Sequence, residues 1–366
     1  MRNILNKFTA NPVLGVLAGM IVTILIQSSS GTTVITIGLV TAGFMTLKQA
    51  IGVIMGANIG TTVTAFIIGI DLGEYAMPIL ALGAFLIFFF KRSNINNVGR
   101  ILFGFGSLFF GLEFMGDAVK PLAQLEGFRQ IILDMSSHPV YGILAGVGLT
   151  ALVQSSSATI GILQEFYSQG LVDLKGAIPV LLGDNIGTTI TAVLASLAGS
   201  LAAKRAAFVH VIFNVIGVII FALFLPVVTH LIGMLQEAWH LKPAMAIAFA
   251  HGAFNVTNTL IQLPFVGALA WLVTKIVPGK DITEDYKPQH LNKDLVYHAP
   301  GVALQETQKE LQNIGHIVQS MLDDVRNPAT MDKKMIKTVQ QKHQAVITIS
   351  AVSYTHLRAH ETVLDL

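Results

Sequence analysis

The tetrapeptide Gln27-Ser28-Ser29-Ser30 returns as Gln154-Ser155-Ser156-Ser157, 127 residues downstream. The same offset carries Pro12 onto Pro139, Gly15 onto Gly142, Gly19 onto Gly146 and Thr23 onto Thr150. Over residues 12–30, 12 of 19 positions are identical without a gap. A second motif keeps that register: Gly56-Ala57-Asn58-Ile59-Gly60-Thr61-Thr62 recurs as Gly183-Asp184-Asn185-Ile186-Gly187-Thr188-Thr189, and Lys48 falls on Lys175. Self-similarity of this kind fixes the architecture before any other signal is read. The chain is built from two copies of one unit.

Between the motifs the sequence is apolar. Stretches 34–47, 50–70, 77–90, 101–115, 177–201, 206–228, 243–263 and 264–277 are candidate membrane helices, several of them short of the roughly 20 residues a full span needs. Segments 13–26 and 140–153 each end abruptly at Gln-Ser-Ser-Ser, a length that fits a re-entrant or broken helix. Charged residues make up only 12% of the chain, against about 25% in ordinary soluble domains. The absence of cysteine excludes a disulfide scaffold, and a formal charge of +2 gives no basic field for nucleic acid.

Charge is also uneven. Residues 1–280 hold 14 Lys/Arg and 10 Asp/Glu, whereas the short remainder holds 9 and 11. A multi-pass, all-α membrane protein with a short C-terminal soluble helical segment is expected. In that segment Val302, Leu304, Leu311, Ile314, Ile317, Val318, Met321 and Leu322 recur at helical spacing, which predicts an amphipathic helix over 300–325, with a second starting in 331–349. Residues 353–366 continue neither pattern. The first ten residues are polar and show no cleavable signal. The second repeat is preceded by the apolar stretch 101–115, so the first is expected to lack an equivalent N-terminal helix.

Small polar residues often do no more than let membrane helices approach. Here six serines, two glutamines and two Asn-Ile-Gly-Thr-Thr motifs stand in register, which favours a site. Serine runs and glycine-containing turns break helices and leave N–H groups at one new end and C=O groups at the other. The N–H end with serine hydroxyls suits an anion. The carbonyls, with Gln, Asn, Ser and Thr oxygens, suit a hard cation, and repeat-built transporters place both near the bilayer midplane. Each half is expected to supply one Gln-Ser-Ser-Ser hairpin and one Asn-Ile-Gly-Thr-Thr turn. Neither motif region contains arginine. Dehydrating one ion in a low-dielectric interior costs on the order of 20 kcal/mol, so accompanying cations would have to balance the anion. That predicts ion-coupled symport rather than an arginine-lined pore. By spacing alone, sulfate or a dicarboxylate fits as well as phosphate. An intramembrane serine protease with His210 or His251 as base leaves the duplication unexplained, and no G-x-S-x-G elbow is present.

Three further features stand out. Asp184 replaces Ala57 of the first repeat and reads either as a cation ligand or turn-orienting group, or as a carboxylate at a water-facing helix rim. His210 with Asn214, and His251 with Asn255, place His and Asn on one helical face, read either as packing and hydrogen-bonding elements behind a site or as direct ligands or proton carriers. Glu113 and Asp117 share a face and read as a water-facing helix terminus.

The paired QSSS motifs, each followed by G-x-N-I-G-T-[ST], resemble the type II sodium-dependent phosphate cotransporters, in particular bacterial members with a C-terminal PhoU-like helical domain. The resemblance covers about residues 10–278. It implies two inverted-topology repeats with re-entrant helical hairpins, and phosphate held by Ser28, Ser29, Ser30, Ser155, Ser156 and Ser157. Gln27, Gln154, Asn58, Thr61, Thr62, Asn185, Thr188 and Thr189 are implied as supporting and sodium-side groups, and Asp184 is added to them as the second repeat's acid. Sodium would be the coupling ion, with no other cofactor and no transition-metal site. Inorganic phosphate, sodium and the lipid bilayer are the expected partners, nucleic acid is not, and a homo-oligomer is left open. The expected location is the inner (cytoplasmic) membrane with the C-terminal segment cytoplasmic. The implied organisation is repeat one over 1–127, repeat two and following spans over 128–278, the start of a PhoU-like domain over 279–350, and a non-native tail over 351–366.

Overall fold

The computed structural model describes residues 8–70, 72–197, 199–279 and 300–326, and within 335–353 positions 335, 336, 338–343, 345–347, 349, 350 and 353. The chain divides into two units, Met1–Val277 and Pro278–Leu366. Every regular element among the described residues is helical.

The first repeat contains α1 (Pro12–Ile26), α2 (Ser29–Thr41) and α3 (Leu47–Gly69). After α4 (Gly73–Phe89), α5 (Ser93–Val119) and α6 (Glu126–Ser137), the second repeat contains α7 (Pro139–Val153), α8 (Ser156–Ser168), α9 (Leu174–Gly187) and α10 (Thr189–Ser196). Then come α11 (Leu201–Leu223), α12 (Leu225–Ala238), α13 (Pro243–Gln262) and α14 (Val266–Ile276). Five helical stretches among the described residues are long and apolar enough to cross a bilayer: Leu47–Gly69, Ser93–Leu122, Leu174–Ser196, Leu201–Leu223 and Pro243–Ile276.

Local sequence explains the short helices. Asn11 accepts a hydrogen bond from Leu14 N at 2.9 Å and Pro12 occupies the first turn, so α1 starts on a side-chain cap and a pre-set φ. Its 15 residues rise roughly 22 Å, well short of the ~30 Å hydrocarbon core. Val13, Leu17, Ile21 and Leu25 point outward and are exposed, while Gly15, Gly19 and Thr23 face inward and are buried. Helix α7 repeats the arrangement with Val140, Leu144 and Leu152 outward and Gly142, Gly146 and Thr150 inward. Large apolar groups outside and glycine inside is the pattern of helices packed by close backbone approach in lipid.

That approach explains the motif glycines. A Cβ on Gly56 would overlap Val16 O, and one on Gly183 would overlap Ile143 O. The glycines of G-x-N-I-G-T-T therefore seat α1 on α3 and α7 on α9. The turns expected at these motifs are not formed. Residues 56–62 lie inside the continuous helix α3, and the second motif runs from α9 into α10 through Thr188, whose φ of −54° and ψ of −30° are right-handed helical. Glycine is tolerated in a helix when neighbours fill the space it leaves.

Other boundaries also move. Stretch 34–47 is not one helix: α2 ends at Thr41, the chain turns through Gly43 (φ +70°), and a Thr46–Gln49 capping box starts α3. Stretch 177–201 ends at Ser196, and 206–228 is interrupted at Phe224, before Pro226 in the first turn of α12.

In the C-terminal unit, Pro300–Arg326 is one helix, here α15, with Ile317 buried. Lys342 pairs with Asp324 and donates to Ser320 Oγ. Of the tail expected to be non-native, 351, 352 and 354–366 lie outside the described residues, as do 331–334 at the start of the second expected helix.

Candidate functional site

Both Gln-Ser-Ser-Ser motifs fold identically at the backbone. Gln27 and Gln154 each adopt φ 57°, left-handed, and each backbone N–H closes on the threonine four residues back, Thr23 O or Thr150 O, at 2.7 Å. The next residue opens a new helix as its N-cap: Ser28 Oγ accepts from Gly31 N at 3.0 Å, and Ser155 Oγ accepts from Ala158 N at 3.3 Å. A helix C-terminus and a helix N-terminus thus meet across two adjacent residues. The first-turn amides of Ser29 and Ser30, and of Ser156 and Ser157, have no intrahelical acceptor. Ser29 and Ser156 are buried, at 5% and 8% exposure.

The Asn and Thr side chains of the second motif are held the same way in both repeats. Asn58 Nδ2 donates to Ile54 O at 2.9 Å and Asn185 Nδ2 to Leu181 O at 2.8 Å. Thr61 and Thr62 donate to Ala57 O and Ile59 O, and Thr188 and Thr189 to Asp184 O and Ile186 O. All six are buried. With each threonine hydroxyl and one hydrogen of each asparagine amide spent on its own helix, each side-chain oxygen keeps lone pairs to offer. Asn58 Oδ1 takes His210 Nε2 at 3.4 Å; since the amide nitrogen is committed, Nε2 must carry the hydrogen. Asn214 and Asn255 donate to His210 O and His251 O.

Contacts cross between the repeats. Thr191 Oγ1 is hydrogen bonded to Ser30 Oγ at 3.1 Å, which sets the first Ser triplet against α10. In return, Gln164 Nε2 of α8 donates to Ala65 O of α3 at 2.9 Å and to Ala244 O of α13 at 2.8 Å. Thr64 Oγ1 donates to Gln27 Oε1 at 2.7 Å, and Gln27 Nε2 closes on Ile24 O. Gln154 is exposed, and its side chain has no comparable partner among the described residues.

Asp184 is fully buried, which overturns the reading of a rim carboxylate facing water. Its Oδ1 accepts from Thr150 Oγ1 at 2.8 Å, and Oδ2 has no partner. In the first repeat Thr23 instead bonds Thr32 Oγ1 at 2.9 Å, because Ala57 offers no acceptor. Sequence reasoning missed Thr64, Thr191 and Gln164. The first two stand 127 residues apart, so extending the repeat register would have found them; Gln164 falls on Ile37, and nothing local marks it.

The family model described as Na+/Pi-cotransporter matches twice, at residues 1–117 and 115–235. The chain belongs to this family. It is 36% identical over 273 residues to the "Uncharacterized protein YqeW" of Bacillus subtilis, covering 75% of this chain and 87% of that one. It is 26% identical over 324 residues to the "Putative inorganic phosphate export protein YjbB" of Escherichia coli, covering 88% of this chain and 59% of that one. To the human "Sodium-dependent phosphate transport protein 2B" it is 33% identical over 162 residues, 40% of this chain and 23% of that one. No solved structure matches. The kinship is with membrane transporters, not enzymes.

Proposed function

We propose that the chain is a sodium-coupled symporter of inorganic phosphate in the inner (cytoplasmic) membrane, with its two repeats in inverted topology and its C-terminal segment on the cytoplasmic side. The observation that carries this reading is the pair of identical helix breaks at Gln27 and Gln154. Each presents a buried serine, Ser29 or Ser156, and first-turn amides at a helix N-terminus. Ser28 and Ser155 shape the two tips as caps, and Ser30 and Ser157 complete the donor set. Sodium then sits among side-chain oxygens fixed by bonds to their own helices, Asn58, Thr61 and Thr62 in one half and Asn185, Thr188 and Thr189 in the other, with the unpartnered Asp184 Oδ2 beside the second set. Gln27 braces its tip, and Gln154 is available to close over a bound ion. Cations beside the anion offset the desolvation that neutral donors alone would not.

Purified protein in liposomes, given an inward sodium gradient and radiolabelled phosphate, tests the reading. Accumulation that stops when choline replaces sodium, and that excess sulfate or citrate does not reduce, is the expected result. Phosphate flux equal in choline, or competed equally by sulfate, overturns it. The name of the E. coli relative points to export; reversing the sodium gradient across the same liposomes shows whether the coupled flux runs outward as readily.

A further inference from the structure

A cavity of about 610 Å3 opens beside α8, away from both serine triplets. Four carboxylates line it, Glu74, Glu113, Asp117 and Glu165, against two ammonium groups, Lys120 and Lys242. The formal balance is two excess negative charges. Lys120 is tied to Asp117 at 2.8 Å, and Glu165 Oε1 accepts from Gln169 Nε2 at 2.7 Å. A concave surface of one sign concentrates counter-ions and repels like-charged ones. This cavity therefore gathers monovalent cations and disfavours phosphate.

Gln164, buried at 1% exposure, also lines the cavity. Both hydrogens of its amide are committed, to Ala65 O and Ala244 O, so the amide cannot rotate without losing two bonds. Its Oε1 is left without a partner. A buried acceptor in that state calls for a ligand that supplies positive charge or a donor. The surrounding carboxylates select the cation, and an amide oxygen is a ligand of the type hard cations take.

The first repeat lacks this arrangement. Positions equivalent to Gln164 and Glu165 are Ile37 and Gly38. Ile37 is packed shut in a cluster with Val40, Ala192, Ala203, Ala206 and Ala207.

We infer that the cavity beside α8 is a sodium-admitting vestibule and that Gln164, in its wall, offers its buried Oε1 to the cation, a position separate from the serine triplets and absent from the first repeat. This rests on the reading of the chain as a sodium-coupled transporter. Glu113 and Asp117, which sequence alone places at a water-facing helix end, become part of its mouth.

The test is equilibrium binding of radioactive sodium to the purified full chain without phosphate, in detergent, at constant ionic strength set by choline. In the triple variant Glu74→Gln/Glu113→Gln/Glu165→Gln, the half-saturating sodium concentration should rise about fivefold. Phosphate binding at saturating sodium should remain within about twofold of wild type. Gln164→Leu should lose one bound sodium per chain. Because that variant also frees two buried carbonyls and could unfold, the triple variant, whose Glu74 and Glu113 are exposed, judges the inference independently. An unchanged sodium isotherm in the triple variant, or displacement of sodium by choline in the wild type, overturns it. If the wild type binds sodium in this way but never binds phosphate, the transporter reading fails while the vestibule stands. If Ser156→Ala abolishes phosphate binding and leaves the triple variant's shift in place, both hold.

Discussion

The two repeats share a backbone and differ in what their side chains close. Each has a left-handed glutamine, a serine N-cap and a glycine-seated helix pair. In the first, Thr64 braces Gln27, Thr191 braces Ser30, and α2 is packed against alanines of α10 and α11. In the second, Gln154 has no such brace among the described residues, and α8 borders a cavity lined by carboxylates. Buried threonine answers threonine in one half and Asp184 in the other. Duplication fixes the frame, and divergence decides which side chains brace each tip and that α8 borders the carboxylate-lined cavity.

The largest expected effect tests what the halves share. Ser29→Ala and Ser156→Ala should each lower sodium-dependent phosphate uptake in vesicles by about 10–100-fold, the loss of a hydrogen bond to a charged group, with expression unchanged. Normal uptake in both would remove the anion site from the triplets.

Next comes the glycine packing. Gly56→Ala or Gly183→Ala forces backbone apart and should destabilise by about 1–3 kcal/mol. Gly38→Ala, with nothing within 4 Å of its new Cβ, should be neutral or stabilise by up to about 1 kcal/mol. Thermal unfolding in detergent separates the two classes, and equal melting temperatures would contradict close helix approach.

Asp184→Ala sharpens the comparison by making the second repeat resemble the first. The sodium concentration for half-maximal uptake should rise about 5–10-fold, corresponding to about 1–1.4 kcal/mol. A sodium dependence identical to wild type would leave Asp184 a structural partner of Thr150 only.

The smallest effect is expected at the brace. Thr64→Val removes one hydrogen bond of about 1 kcal/mol and should reduce uptake by about fivefold or less. The matched change at Thr191 should act similarly through Ser30, so a far larger loss at either would give that threonine a direct role in binding.

Much of this was legible in the residues. The offset of 127 gave the duplication, apolar length gave the short helices ending at Gln27 and Gln154, and serine chemistry gave the caps. The Asn-Ile-Gly-Thr-Thr motifs read as turns in the sequence but lie within helix, because glycine spacing signals either a break or a close contact. Only the position of Val16 O and Ile143 O tells which. Asp184 was legible as an exception but not as buried, since burial depends on the packing of α7 across α9.

By itself the sequence determined the period, the membrane environment, the helix breaks and the residue types at each tip, because these follow from local chemistry and from the cost of leaving backbone unpaired in lipid. The tertiary structure alone decided which helices touch, that Ser30 meets Thr191, that Gln164 reaches both Ala65 and Ala244, and that α8 borders a charged cavity. Those contacts join residues far apart along the chain, and no local propensity encodes the distance between them.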